Sequence, residues 1–215
     1  MDQKLLFLIN RQWTSTALDY VMALFSSFDA WTPLLVVLLL LVLWRGGFRA
    51  RAFVLTAALI VGFNDGVLAR TLKRLADRPR PHQAVSDVRI VELARAKPRL
   101  LALGQPIKIK YSRPSGEDVE GRSFPSSHTM NTIAVALVCA CFYRCWGWLA
   151  FVPALCVGYS RIYTGSHYPS DVVTSLFLGA GTTFLLLCAF QWLWREKGGR
   201  LLPAVHSRHP LLFSA

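Results

Sequence analysis

The chain has 215 residues, enough for one domain and tight for two soluble ones. Apolar residues make up 53% and charged residues 17%, against roughly 25% charged in an average soluble domain, and mean hydropathy is +0.39, which disfavours a soluble enzyme. A net charge of +12 suits anionic lipid headgroups or a phosphorylated substrate; no nucleic-acid partner is expected, because the basic residues lie between long apolar segments.

Met1 to Phe28 mixes Asp2, Lys4, Arg11 and Asp19 with apolar residues, a pattern that predicts an amphipathic interfacial helix. Leu5 to Ile9 is short for a signal-peptide core and lacks a small-residue cleavage site, so no cleavable leader is expected. Five apolar segments follow: Trp31 to Trp44, Phe53 to Leu72, Thr129 to Trp148, Leu149 to Ile162 and Val172 to Trp194. A span needs about 20 residues, with tolerance for tilt. The expected fold is therefore an all-α integral membrane bundle of five to six transmembrane helices, the sixth only if the amphipathic N-terminal segment inserts. Residues 1–197 are read as one domain and 198–215 as a mobile tail. Residues 82–123 form a long extramembrane loop, and the threefold apolar spacing of Val88 to Ala96 predicts a short surface helix there. The five cysteines lie in or beside apolar runs without paired spacing and are read as packing residues.

Short basic connections set orientation. Arg45, Arg49 and Arg51, then Arg144, then Arg195, Lys197, Arg200 and Arg208 fall on one side, expected to be cytoplasmic. The segment Leu72 to Pro125 and the turn at His167 fall on the other, facing a periplasm or cell exterior. That segment carries twelve Lys and Arg against six Asp and Glu, an excess that phosphate chemistry accounts for.

Three clusters share this face. Lys73 to Pro81 (KRLADRPRP) follows span two, Phe124 to His128 (FPSSH) opens span three, and Ser160-Arg161, His167 and Asp171 bridge spans four and five. Pro125 stops any preceding helix and Ser126 is a good N-cap, so the amides of Ser127, His128 and Thr129 make an anion site. His167 and Asp171 stand four apart across a Pro-containing helix start, where a carboxylate beside an imidazole fixes its tautomer. Arg161 offers a planar fork for phosphate oxygens. Asn64 and Asp65 interrupt span two; an interhelical hydrogen bond accounts for them as well as a functional role. Arg74 and Arg78 are read as headgroup or solvent contacts, and His82 as a solvated loop residue.

These clusters resemble the signature of the type 2 phosphatidic acid phosphatase family: Lys-x6-Arg-Pro, Pro-Ser-Gly-His and Ser-Arg-x5-His-x3-Asp. Lys73, Arg80 and Pro81 match the first, Pro125, Ser126 and His128 the second, and Ser160, Arg161, His167 and Asp171 the third. Ser127 stands where the family usually has Gly, and Ser supplies the same amide. The resemblance implies His167 as the nucleophile forming a phosphohistidine, Asp171 as its orienting group, and His128 as the acid that protonates the leaving oxygen and then activates water. It implies Lys73, Arg80, Ser126, Ser127 and Arg161 as phosphate ligands, and no metal or other cofactor. The expected protein is a multi-pass lipid phosphatase of a bacterial inner membrane, its site facing the periplasm or exterior. Undecaprenyl diphosphate, phosphatidylglycerol phosphate, phosphatidic acid and a lipid A phosphate are the candidate substrates, with loop 82–123 as selector. Two alternatives stand beside it: phosphate transfer between lipids at the same site, and an anion channel or transporter using Asp65.

Overall fold

A computed structural model describes residues 1–94, 102, 105–114 and 122–213. Its longest element is α10 (Pro169–Leu201), entered through a Pro at its first turn and capped where the Asp171 carboxylate accepts the Tyr168 amide. Beside it lies α7 (Ser127–Phe142), whose inner face carries Ile133, Ala134, Ala136 and Val138. Small residues let the two helices close up. A Cβ at Gly179 of α10 would lie 2.8 Å from the Met130 carbonyl oxygen of α7, so only glycine fits. α4 (Phe48–Phe63) packs on the far side of α7, burying Ala52 and Ile60 with Val138, Phe142 and Leu187.

Among the described residues, three helical runs are long and apolar enough to cross a membrane by length and composition: α3 (Phe28–Arg45), Phe48–Ala84 and Pro169–Leu201. α3 exposes Leu34 to Leu41 on every side and buries only Ala30, as a lipid-facing helix does. The predicted span two continues from α4 through a π-helical segment (Asn64–Ala69) into α5 (Arg70–Ala76). Asn64 is fully buried there, and its Oδ1 accepts from Thr182 Oγ1 of α10 at 3.0 Å. The predicted span three is shorter than expected. It breaks at Tyr143 and passes through α8 (Arg144–Gly147) and one 3-10 turn (Trp148–Ala150) before α9 (Phe151–Tyr163). Gly147 allows this corner to close, since a Cβ there would lie 2.1 Å from the Cys139 carbonyl oxygen.

Two sequence expectations change. Residues 89–92 of the predicted surface helix form β1 (Arg89–Glu92), paired antiparallel with β2 (Lys108–Tyr111); residues 95 and 96 lie outside the described residues. The helical spacing loses because β1 finds cross-strand partners 16 to 22 residues away, Glu92 facing Lys108 and Arg89 facing Tyr111. After a short α6 (Pro81–Ala84), this ribbon is the small sheet of an otherwise helical chain. The other change concerns residues 198–213, expected to be a mobile tail. Here α10 runs on to Leu201, α11 (Pro203–His206) turns back, the His209 ring stacks on Phe48, and Gln191 Oε1 accepts from the Leu212 amide at 3.1 Å.

The N-terminal segment is not a simple amphipathic helix with its polar residues in water. It consists of α1 (Asp2–Phe7), a π-helical turn (Leu8–Gln12) and α2 (Thr16–Ser26), and it turns polar groups inward. Asn10 is fully buried; its Nδ2 donates to the carbonyls of Arg89 (2.7 Å) and Tyr163 (2.6 Å), and its Oδ1 accepts the Arg89 amide at 2.8 Å. Asp19 accepts from Arg89 and from the Tyr163 hydroxyl (2.6 Å). These bonds lash the π-helical turn and α2 to α9 and β1. Asn10→Ala removes three buried hydrogen bonds and strands their partners, and is expected to cost about 2–4 kcal/mol. A thermal unfolding midpoint in detergent should fall by several degrees; an unchanged midpoint would show that the segment is not docked this way.

Candidate active site

The ends of α5, α7, α9 and α10 meet on one face and carry the three motif clusters, the third shared between α9 and α10. Ser126 occupies the N-cap position of α7, but its hydroxyl makes no cap bond; it accepts from Thr129 Oγ1 at 2.9 Å, while its amide donates to Ser175 Oγ at 2.8 Å. The first amides of α7 are thus left to a ligand. Lys73 reaches across from α5 and donates to Ser127 Oγ at 2.7 Å. That bond gives the Ser at position 127 a contact a glycine lacks.

His167 sits in the turn between α9 and α10. Gly165, at φ +71°, permits the turn, and the Arg161 carbonyl accepts the amides of both Ser166 and His167 at 3.0 Å. The imidazole is 2% exposed, and its Nδ1 lies 2.6 Å from the Ser123 carbonyl oxygen. A carbonyl only accepts, so the proton of the neutral ring is on Nδ1 and Nε2 keeps its lone pair. Burial, then the charges of Arg161 and Arg80, push the His167 pKa well below the usual histidine range.

Asp171 stands otherwise than its i,i+4 spacing implied. Its Oδ2 is 4.0 Å from His167 Nδ1, beyond hydrogen-bond reach. The fully buried carboxylate instead accepts from Ser123 Oγ (2.5 Å), the Tyr168 amide (3.1 Å) and Arg78 Nη1 (2.6 Å). It therefore holds the residue that holds His167. Arg78 is likewise no solvent contact, being committed to Asp171 and to Asp2 at 2.6 Å each.

Arg161 is buried and donates through Nη1 to the Ser26 carbonyl (3.0 Å) and hydroxyl (2.5 Å) at the α2–α3 corner. Its Nε is buried without a partner among the described residues. None of Lys73, Arg80 and Arg161 has a carboxylate within 4.0 Å among the described residues. Unpaired cations with an orphaned N–H describe a place for an anion. Two cavities open here. One, about 460 Å³, is polar and lined by Arg80, Arg161, His82, Ser26, Thr164 and Lys110. The other, about 430 Å³, is mostly apolar and lined by Phe25, Phe28, Trp31 and Leu35, with Ser127 and His128 at its polar end. His82 faces the first, its Nδ1 3.1 Å from the Gly165 carbonyl oxygen, and so is not a solvated loop residue. Asp65 lines the second. No group of three or more His, Cys, Asp or Glu able to hold a metal is found among the described residues.

Arg80 and Arg161 line the polar cavity and Ser127 and His128 the apolar one, while Lys73, Ser126, His167 and Asp171 lie at the neighbouring helix ends. Sequence reasoning missed Ser123, Arg78, Asp2 and Ser26. Ser123 carried one weak signal, its place directly before the second cluster, and Arg78 another, its place inside the first; Asp2 and Ser26 carried none.

Residues 49–195 match the PAP2 superfamily. The chain belongs to that superfamily. It is 27% identical over 165 residues to the lipid A 4'-phosphatase of Bacteroides thetaiotaomicron, covering 75% of this chain and 64% of that protein. It is 32% identical over 94 residues to the putative undecaprenyl-diphosphatase YbjG of Escherichia coli K12, covering 43% of this chain and 45% of the relative. The chain thus spans less than two thirds of the length of these relatives. Two crystal structures share the fold: LpxE of Aquifex aeolicus (TM-score 0.60, 24% identity, 86% of this chain and 94% of that one) and a PAP2-type phosphatidylglycerolphosphate phosphatase of Bacillus subtilis (TM-score 0.55, 21% identity, 90% and 88%).

The lowered His167 pKa has a stability consequence. The fold favours the neutral ring, so between the folded pKa and about 6.5 the unfolded chain binds more protons. Stability is full above about pH 6.5 and is lost as pH falls, by about 1 kcal/mol per pH unit for this group. Denaturant titrations in detergent should show a smaller loss between pH 7.5 and 5 for His167→Asn than for the parent protein. Equal losses would mean that His167 is not held neutral.

Proposed function

We propose that this PAP2 superfamily protein is a membrane phosphatase that hydrolyses a lipid phosphate monoester or diphosphate through a phosphohistidine on His167. The observation that carries the reading is the buried imidazole with its proton fixed on Nδ1 by a carbonyl and its Nε2 free beside unpaired cations. The Nε2 lone pair attacks phosphorus and the phosphorus–oxygen bond to the lipid breaks. His128, at the polar end of the apolar cavity, gives its proton to the leaving oxygen. It then takes a proton from water, whose oxygen attacks phosphorus, breaks the P–N bond and releases inorganic phosphate. Lys73, Arg80, Arg161, Ser126 and the Ser127 amide hold the phosphate oxygens where charge builds up. No metal takes part.

Forming the N–P bond makes the imidazole ring cationic while Nδ1–H stays on Ser123. Asp171, 4.0 Å away, then stabilises that cation without touching it. At an effective dielectric near 20 such a pair is worth about 4 kcal/mol. Asp171→Asn is therefore expected to lower kcat by roughly a hundredfold or more, with little change in KM.

The apolar cavity suits the first carbons of a lipid, and the exposed α3 beside it offers a path from the bilayer. On this reading residues 1–197 are one catalytic domain of five to six membrane helices in a bacterial inner membrane, with the site on the periplasmic or outer side. Residues 82–123 choose among undecaprenyl diphosphate, phosphatidylglycerol phosphate, phosphatidic acid and a lipid A phosphate. The test is phosphate release in detergent from a panel of lipid monophosphates, lipid diphosphates and soluble phosphates, with EDTA present. Release from at least one lipid, undiminished by EDTA, is expected. His167→Ala should fall by at least about a thousandfold. Transfer to another lipid without free phosphate would make the protein a phosphotransferase, and wild-type release by His167→Ala would end the mechanism.

His128 gives a finer test. An aryl phosphate leaves without a proton, so His128→Ala should form the phosphoenzyme from it at near-normal rate yet hydrolyse it slowly. Pre-steady-state measurements with substrate in excess should show a burst of aryl alcohol followed by a slow steady state. Loss of the burst would remove His128 from the second step.

A further inference from the structure

The first motif contains a cation that the phosphate site does not use. Arg78 Nη1 donates to Asp171 Oδ1 at 2.6 Å and to Ser170 Oγ at 2.9 Å, and Nη2 donates to Asp2 Oδ2 at 2.6 Å. Its guanidinium lies over the Tyr168 ring, 4.1 Å from the centroid. A planar fork held by two carboxylates and stacked on a ring is committed away from the phosphate site, although 34% of its side chain stays exposed. Its backbone is engaged as well, because the Arg78 carbonyl accepts the Ser123 amide at 2.8 Å.

Both engagements converge on His167. The side chain fixes Asp171, which accepts the Ser123 hydroxyl; the main chain fixes the Ser123 amide; and the Ser123 carbonyl accepts Nδ1–H of His167. The circuit begins outside the family-matched region. Asp2 of α1 accepts the Ser170 amide at 3.0 Å, the Ser170 hydroxyl at 2.5 Å and one side of Arg78, so it closes the fork from the opposite side. Without Asp2, Arg78 would hold one carboxylate and be free to swing toward the phosphate site. Without Arg78, Asp171 would be a fully buried carboxylate with no cation.

We infer that Arg78 and Asp2 are positioning residues for His167, acting through Asp171 and Ser123 to set the direction of the Nε2 lone pair. The inference rests on the phosphohistidine reading above. Positioning error appears in kcat rather than in binding, and a misplacement near 1 Å costs about a hundredfold. The experiment is steady-state kinetics on the full chain in detergent, with whichever lipid phosphate the wild type hydrolyses. Arg78→Lys cannot serve two carboxylates with one ammonium and is expected to lower kcat by about ten- to a hundredfold, with KM within about twofold. Asp2→Asn leaves a single acceptor oxygen for Ser170 and removes the charge that Arg78 Nη2 meets, and should lower kcat by about tenfold. The double variant should be no slower than Arg78→Lys alone, because both act in one circuit. Arg74→Gln, on the exposed side of α5, should keep the wild-type kcat.

A wild-type kcat in Arg78→Lys and Asp2→Asn overturns the inference. So does a rise in KM at unchanged kcat, which would make Arg78 a substrate ligand, or losses that multiply in the double variant. If Arg78→Lys does not fold, Asp2→Asn and Ser170→Ala carry the same test from the partly exposed end. If the wild type releases no phosphate from any lipid, the underlying reading fails and takes this inference with it; an active wild type with unaffected variants removes this inference alone.

Discussion

The structure turns on a buried negative charge. Asp171 is wholly removed from solvent, and such a carboxylate persists only with a cation and several donors around it. Arg78, Ser123 and the Tyr168 amide supply them, and meeting this demand draws four separate stretches of chain together. The end of α5 brings Arg78, the approach to α7 brings Ser123, the start of α10 brings Asp171, and α1 closes the far side with Asp2. His167 is placed as a consequence, because the same Ser123 gives its carbonyl to Nδ1. His167 and the fold therefore share one set of hydrogen bonds.

The bundle serves this arrangement. α7 and α10 approach closely through Gly179, which aligns their first turns at one end; α9 returns along them and delivers Arg161 and His167 to the same place. The result sets a polar cavity lined by Arg80 and Arg161 beside an apolar cavity walled by Phe28, Trp31 and Leu35 of α3, with residues of the α2–α3 corner lining both. A molecule with an anionic head and an apolar body matches that division.

Most of this site was legible in the sequence because its chemistry is local. Lys73, Arg80, Ser126, Ser127, His128, Arg161, His167 and Asp171 all lie in three short patterns at helix ends. What could not be read was who pairs with whom. Spacing alone put Asp171 on His167, yet Ser123, 48 residues upstream of Asp171, takes the place between them. Arg78 looked like a juxtamembrane anchor, because its two carboxylates lie 76 and 93 residues away. In the same way Val88 to Ala96 had helical spacing, but strand pairing with Lys108–Tyr111 is a contact that periodicity does not encode. Asp2 and Asp19 seemed to face water along an amphipathic helix, while each has an inward partner far along the chain. Apolar spans were found by composition, but their ends followed Tyr143 and Gly147, where packing sets the turn.

The account stands on a covalent step at one nitrogen. The direct measurement is a rapid alkaline quench of the detergent-solubilised protein during turnover of a phosphorus-labelled lipid phosphate that it hydrolyses, followed by peptide mapping. Label on His167, formed before free phosphate and lost as phosphate is released, is the expected result. Turnover without labelled protein, or label on His128 instead, would contradict it.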